Sequence, residues 1–257
     1  APAAERPREL LESGLDQVAL QLAAWDPDWR RLRLGVIVGT SSGGFAALQR
    51  ALGAGPAAPE PADWARSAYF APLSSALARL GRAQPPERSV SLYAACASSS
   101  LALGLGLRWL ELGEVELVIA GGYDAESTWV GPGFDALKAT SDGHPRPFRA
   151  ERAGMALGEG VALLALTRSS EKAYGFVRGF FATSDAVHIT APDRSGQSLA
   201  RAAQGALADA GLQASELGFV SVHGTATSFN DAAEAAALGL VFGEQAAQLQ
   251  LHAFKSV

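Results

Sequence analysis

Ser89-Val-Ser-Leu-Tyr-Ala-Ala-Cys96-Ala-Ser-Ser-Ser-Leu-Ala-Leu-Gly-Leu-Gly-Leu-Arg108-Trp109-Leu110 is the stretch on which the fold turns. It opens with a run suited to a buried strand, passes a turn of small residues holding the one cysteine, and continues as an apolar segment long enough for a helix. A cysteine at such a turn stands near a helix N-terminus. There, unpaired N–H groups and the positive end of the helix dipole favour a thiolate and can hold a developing oxyanion. A lone cysteine can equally be a small buried apolar residue. The stretches around it decide.

On its N-terminal side, Leu10, Leu11, Leu15, Val18, Leu22 and Trp25 recur at spacings of three and four, which predicts an amphipathic helix over 9–25. Leu34-Gly-Val-Ile-Val-Gly-Thr40 reads as a strand that feeds the turn Ser41-Ser42-Gly43-Gly44 and a helix from about Phe45. That turn lacks the Lys-Ser/Thr of a phosphate loop and the spacing of a dinucleotide fingerprint, so it reads as close packing of turn on turn. Residues 53–63, rich in Gly, Ala and Pro, read as a surface loop, and Trp64 to Leu80 as helix interrupted at Pro72.

On its C-terminal side, Val115 to Gly122 reads as a strand and Met155 to Leu166 leads into a long apolar strand, with Gly131-Pro-Gly-Phe-Asp135 punctuating the chain between them. Gly175-Phe-Val-Arg-Gly-Phe-Phe-Ala-Thr183 is expected to be a further strand, and Ser198 to Ala210 a helix capped by Gly211. Leu217 to Val222 and the run from Leu249 read as strands around a helix over Ala232 to Leu240. Apolar strands alternating with helices indicate an α/β protein with a parallel or mixed sheet, whose functional groups gather at strand C-terminal ends. Cys96 and His223 both occupy such ends.

Composition narrows the function. A net charge of -5 without a dense Lys/Arg stripe gives no reason to invoke nucleic acid. One cysteine excludes an intrachain disulfide and a cysteine zinc cluster, and points to a reducing cytoplasm. The residues from Ala1 to Glu9 carry no apolar core of a secretory signal, and the apolar runs are broken before they could span a bilayer. Four scattered histidines without an HxxxH pair argue against a metal site. His144 in a loop, His188 and His252 are weaker candidates than His223, which heads His223-Gly-Thr-Ala-Thr227. That histidine can either hydrogen-bond a turn or donate to a carbonyl oxygen, with the threonines binding a polar ligand arm.

Together these stretches resemble the β-ketoacyl synthase family, the condensing enzymes of fatty-acid and polyketide synthesis. Ala95-Cys96-Ala-Ser-Ser-Ser100 resembles the nucleophile motif, and Pro147 to Gly154 with Leu157-Gly-Glu-Gly160 the family's central signature. Ser184-Asp-Ala-Val-His-Ile-Thr-Ala-Pro192 is similar to another family stretch. His223 to Thr227 with Asp231 and Glu234 resembles the first histidine motif, and Lys255-Ser256 the start of the lysine motif.

The resemblance implies a thiolase-like fold of αβαβα layers and an elongating, Cys-His-His type acyltransferase. It implies a decarboxylative condensation of malonyl carrier protein with an acyl group held on Cys96. By the same resemblance His223 stabilises an enolate and Lys255 organises the site's electrostatics. Thr225 and Thr227 bind the pantetheine arm, Phe134 lines the acyl pocket, and Glu159 and Asp231 give structural support. No resident cofactor is implied, since substrates arrive on the phosphopantetheine arm of acyl carrier protein. That protein is the expected partner, together with a second condensing subunit in a homodimer or heterodimer.

Residues 1–257 read as one β-ketoacyl synthase domain, mostly its N-terminal half, with the C-terminal half starting near residue 212. The family's second histidine and its Gly-Phe-Gly loop do not occur here, nor does its first strand ahead of residue 9, so the chain is expected to be part of a longer enzyme. The alternatives are a partner-dependent or non-catalytic subunit of a chain-length-factor type, against which Cys96 counts, and a cysteine hydrolase. The Ala-Cys-Ala turn and the threonines after His223 favour acyl transfer over peptide cleavage.

Overall fold

The structure is a computed structural model describing residues 5–53 and 60–256. It divides into two compact units, one running through Val130 and taking in Gly158–Phe176, the other made of Gly131–Leu157 and Val177 onward.

In the first unit the apolar stripe of residues 9 to 25 becomes α1 (Arg6–Trp25). It is followed by β1 (Leu34–Gly39), α2 (Phe45–Gly53), α3 (Pro61–Ser67), α4 (Ala71–Ala76), β2 (Arg88–Leu92), α5 (Ser98–Glu111), β3 (Leu117–Asp124) and, after an excursion, β4 (Gly160–Thr167). The sheet has the order β2-β1-β3-β4; β1 runs parallel to β2 and β3, and β4 closes one edge antiparallel.

Alternation along the strands splits the core in two. Leu34, Val36 and Val38 of β1, with Leu117, Ile119 and Tyr123 of β3, face α1 through Leu11, Leu15, Val18 and Leu22. Each such buried side chain contributes about 1.5–3 kcal/mol. On the opposite face Ile37, Val118 and Ala120 pack against Ala102, Trp109 and Leu110 of α5. Because α5 carries small residues at its start, that end can sit hard against the sheet. A Cβ on Gly39 would lie 2.3 Å from the Ser98 carbonyl carbon, and one on Gly122 2.8 Å from the Ser99 Cβ. These contacts hold the cysteine turn at the C-terminal edge of β1 and β3.

The glycine turn after β1 packs as its sequence implied: a Cβ on Gly44 would stand 2.3 Å from the Ala68 carbonyl oxygen. Asp124, at the end of β3, closes this turn by accepting hydrogen bonds from the Thr40 hydroxyl (3.0 Å) and the Ser41 N–H (2.8 Å).

The second unit holds α6 (Val130–Ala136), α7 (Gln197–Ala210), β5 (Val220–Ser221), α8 (Ser228–Phe242) and β6 (Leu251–His252). β5 and β6 pair in parallel, Val220 with Leu251 and Ser221 with His252. Gly211 ends α7 in the left-handed region, its N–H shared between the Ala208 and Leu207 carbonyls.

Several expectations are corrected. Residues 175–183 form no strand. Their contacts are with α7 instead: the Phe180 N–H donates to Asp209 Oδ2 (2.8 Å), and Gly179 is so close that a Cβ there would meet the Ala206 carbonyl oxygen at 2.5 Å. The helix break expected at Pro72 falls at residues 68–70, and Pro72 sits in the first turn of α4, where its missing N–H costs nothing. Gly131 to Asp135 lies within a short helix rather than only punctuating the chain. β5 is shorter than Leu217 to Val222, and α8 longer than Ala232 to Leu240. Of the loop expected over 53–63, residues 54–59 lie outside the described residues, while residues from Pro61 on are helical.

Candidate active site

β2 delivers the chain to a strained elbow. Ala95 takes φ +48°, a left-handed conformation that a non-glycine residue adopts at a cost. Three bonds hold it there. The Ala94 N–H donates to Ser98 Oγ (2.8 Å), the Ser98 hydroxyl donates to the Ala95 carbonyl (2.7 Å), and the Ala97 N–H donates to the Ala94 carbonyl (3.0 Å). Ala97 is the N-cap of α5, so Cys96 stands immediately before the helix start, and within its unit it is exposed, not buried in the core. Tyr93, next to the elbow, donates its hydroxyl to the Tyr69 carbonyl, and burial raises its phenol to about 12.

The histidine turn is built from β5 and α8. Parallel pairing of β5 with β6 brings their C-terminal ends side by side, so that His223 follows one strand and the turn Phe254–Ser256, with Lys255, follows the other. Two buried carboxylates one helical turn apart on α8 hold the loop between them. Glu234 accepts the N–H groups of His223 (2.6 Å) and Gly224 (2.9 Å). Asp231, 2% exposed, accepts those of Ala226 (3.1 Å) and Phe148 (2.7 Å) and lies 3.9 Å from the Arg152 guanidinium. Gly224 and Ala226 both have positive φ, +50° and +60°, so the three carboxylate bonds to His223, Gly224 and Ala226 offset the strain of a tight loop. Thr225 is buried and its hydroxyl meets that of Thr227 at 2.9 Å.

Burial lowers the His223 imidazole to about 4, with the Lys255 ammonium pushing the same way and Asp231 opposing. The ring is therefore neutral at pH 7 and able to donate a hydrogen bond without carrying charge. The shift also has a stability consequence. Between the ordinary value of 6.5 and about 4 the unfolded chain binds a proton that the folded chain refuses. Stability therefore falls as pH drops through that window. Urea unfolding at pH 7.5 and pH 5 should show a smaller loss for His223→Gln than for wild type; equal losses would contradict the assignment.

The sequence-derived candidates thus divide. His223, Thr225, Thr227, Asp231 and Lys255 come together at one end of the second unit, and Phe134 is half-buried on α6 of that unit. Cys96 and Glu159 belong to the first. Glu159 is ion-paired with Arg6, which holds its carboxyl below the usual range and ties the start of α1 to the start of β4. His188 is exposed, and its Nδ1 accepts the N–H groups of Thr190 and Ala191, both at 3.1 Å. His252 is on β6 with its ring against Phe219 and Phe254.

The geometry adds three residues to which sequence reasoning gave no role: Ser98, the clasp of the elbow; Asp124, the clasp of the neighbouring turn; and Glu234, the clasp of the histidine. Asp124 directly follows the apolar run of β3, a position where an acid faces the adjoining strand-end turn. That was its available signal. Among the described residues no cluster of three His, Cys, Asp or Glu side chains could hold a metal, and no helix is long and apolar enough to cross a membrane.

Each unit thus carries one candidate group of its own: the first a cysteine elbow at a strand end, the second a neutral histidine on a threonine-bearing turn. Comparison with known proteins shows the family. The model for the N-terminal domain of beta-ketoacyl synthase matches residues 15–172, and that for its C-terminal domain residues 174–257. The chain belongs to the β-ketoacyl synthase family.

It is 30% identical to a 3-oxoacyl-[acyl-carrier-protein] synthase 2 of Rhizobium meliloti (strain 1021), covering 93% of this chain and 61% of the relative. It is 31% identical to a nodulation protein E of Rhizobium meliloti, covering 88% and 57%. Among solved structures, the ketosynthase complex AntDE:AntF superposes with a TM-score of 0.85 at 26% identity, covering 98% of this chain and 67% of that one. A ketosynthase in complex with its chain length factor from Xenorhabdus doucetiae gives 0.79 at 31% identity, covering 93% and 60%. The fold is accordingly the thiolase-like fold of ketosynthases, and the chain spans about three fifths of the length of these curated relatives.

Proposed function

We propose that this chain forms part of a 3-oxoacyl-[acyl-carrier-protein] synthase in which Cys96 is the acyl acceptor. The observation that carries the reading is the elbow: an exposed cysteine on a strained turn held by Ser98, one residue ahead of the N-cap of a 14-residue helix. A strand end that spends conformational energy to present a thiol supports nucleophilic use.

In the first step the Cys96 sulfur attacks the thioester carbonyl of an acyl carrier protein. The carbon–sulfur bond to the carrier breaks, and the carrier thiol leaves with a proton. In the second, a malonyl group on the same kind of carrier loses carbon dioxide. The resulting carbanion forms a carbon–carbon bond to the acyl carbon, and the Cys96 sulfur is released. His223, neutral at physiological pH, donates a hydrogen bond to the malonyl thioester oxygen as negative charge develops there. Lys255 helps keep that imidazole uncharged. Thr225 and Thr227 present hydroxyls to the carrier arm, and Phe134 borders the acyl chain.

No resident cofactor enters this chemistry. The partners are acyl carrier protein and a second condensing subunit, in a cytoplasm that keeps Cys96 reduced. Incubation with palmitoyl carrier protein should release free carrier thiol in a burst of one equivalent per chain; absence of a burst with a verified donor counts against the reading.

A further inference from the structure

Beside the histidine turn the second unit has an open cavity of about 540 Å³, lined by Arg146, Pro147, Arg149, Glu151 and Ala253. A tight turn sets its arginines. The Arg149 N–H donates to the Arg146 carbonyl (3.2 Å), and Arg152 Nη1 binds the Arg149 carbonyl (2.9 Å), so the two exposed guanidiniums follow one another at a spacing of three. Both lie on the cavity wall. Among the described residues no carboxylate stands within ion-pair distance of either, unlike Arg6, Arg79 and Arg88, which each have an acidic partner.

The cavity adjoins the proposed chemistry. A Cβ on Gly224 would stand 3.0 Å from Ala253 Cβ and 3.3 Å from Pro147 Cβ, so two wall residues touch the residue between His223 and Thr225. The wall is also bolted to that turn. Phe148, between the arginines, donates its N–H to Asp231 while held at φ +59°, and the Gly154 N–H donates to the Ala226 carbonyl (3.0 Å).

We propose that Arg146 and Arg149 form a phosphate-binding site that takes the phosphorylated end of the carrier arm. This rests on the acyl-carrier reading above. Two planar guanidiniums on a concave wall match the oxygens of a phosphate with paired hydrogen bonds, which lysines on a flat surface would not provide. The space suits a small group rather than a helix of a protein partner. Glu151 leaves the lining with a net charge of about +1, enough to hold a phosphate and weak enough to release it. Since Asp231 joins the wall to the loop carrying Thr225, a phosphate seated here positions the arm along the two threonine hydroxyls.

The test is a calorimetric titration of phosphopantetheine, pantetheine and inorganic phosphate into wild type, Arg149→Ala, Arg146→Ala and Arg149→Lys. Phosphopantetheine should bind wild type at least 10-fold more tightly than either other ligand. Each alanine variant should erase its advantage over pantetheine, and Arg149→Lys should restore part of it. Unchanged thermal midpoints would show that the variants fold. Equal binding of phosphopantetheine and pantetheine to wild type, or no binding of either, overturns the proposal. Inorganic phosphate binding as tightly as phosphopantetheine overturns it too, in favour of a free-phosphate site. None of these outcomes depends on acylation of Cys96, so the burst assay fails or succeeds separately.

Discussion

Replacing His223 by alanine in the enzyme is expected to lower decarboxylative condensation about 10²–10³-fold, the usual loss when one donor to a developing oxyanion is removed. Acyl transfer to Cys96 should stay within a few-fold of wild type. The separation follows from how the turn is held. Glu234 binds the backbone N–H groups of His223 and Gly224, and Asp231 that of Ala226, so the loop keeps its shape without the imidazole. The loss should therefore appear in kcat for malonyl carrier protein and leave KM nearly unchanged. A variant losing acylation and condensation in equal measure would show that the imidazole serves Cys96 instead.

The second large effect concerns stability. Gly39→Ala should destabilise the chain by about 3 kcal/mol, at the upper end of ordinary overpacking, because the new methyl meets backbone rather than a side chain that can turn away. The atoms in its way are the Ser98 carbonyl carbon at 2.3 Å and the Ser99 nitrogen at 2.5 Å. For a chain of this size that is a fall of roughly 6–12 °C in thermal midpoint. Whatever variant folds should also present the elbow poorly, since α5 can yield only by lifting its N-terminus from the sheet. Differential scanning calorimetry checks the first part; a midpoint within 2 °C or so of wild type would mean that the contact relaxes freely.

These two predictions rest on parts of the molecule that were unequally visible in the sequence. The strand from Leu34 and the elbow at Cys96 were legible because both obey short-range rules: an apolar run ends in small residues, and a helix pattern follows. His223 was legible through its motif, although its neutral state was not, since that state arises from burial and from Lys255 across a strand pairing. The run 175–183 misled because its β-rich composition says nothing of whether a neighbouring strand is available. Here the backbone turns to Asp209 and to α7 instead. Pro72 misled by one turn, for proline interrupts a helix but equally begins one.

The clasps were the least visible features. Ser98, Asp124 and Glu234 act by accepting backbone N–H groups, and such roles depend on where a turn comes to lie. Asp124 reaches back 83 residues to Ser41, a separation at which no local pattern operates. Glu234 binds a turn 10 and 11 residues earlier, close enough for the spacing to belong to the motif but too far for propensity to explain it. The arginine cavity has a similar origin. Arg146 and Arg149 share their wall with Ala253, over 100 residues later, a neighbour that no local pattern announces.

The central claim is that the Ala95–Ser98 elbow makes Cys96 an acyl-carrying nucleophile. It is tested most directly by intact-protein mass spectrometry of the wild type and Cys96→Ala after incubation with palmitoyl carrier protein. The account predicts that wild type gains one palmitoyl group, which peptide mapping places on Cys96, and that the variant gains none. An unmodified wild type, or an equal gain on both proteins, would contradict it.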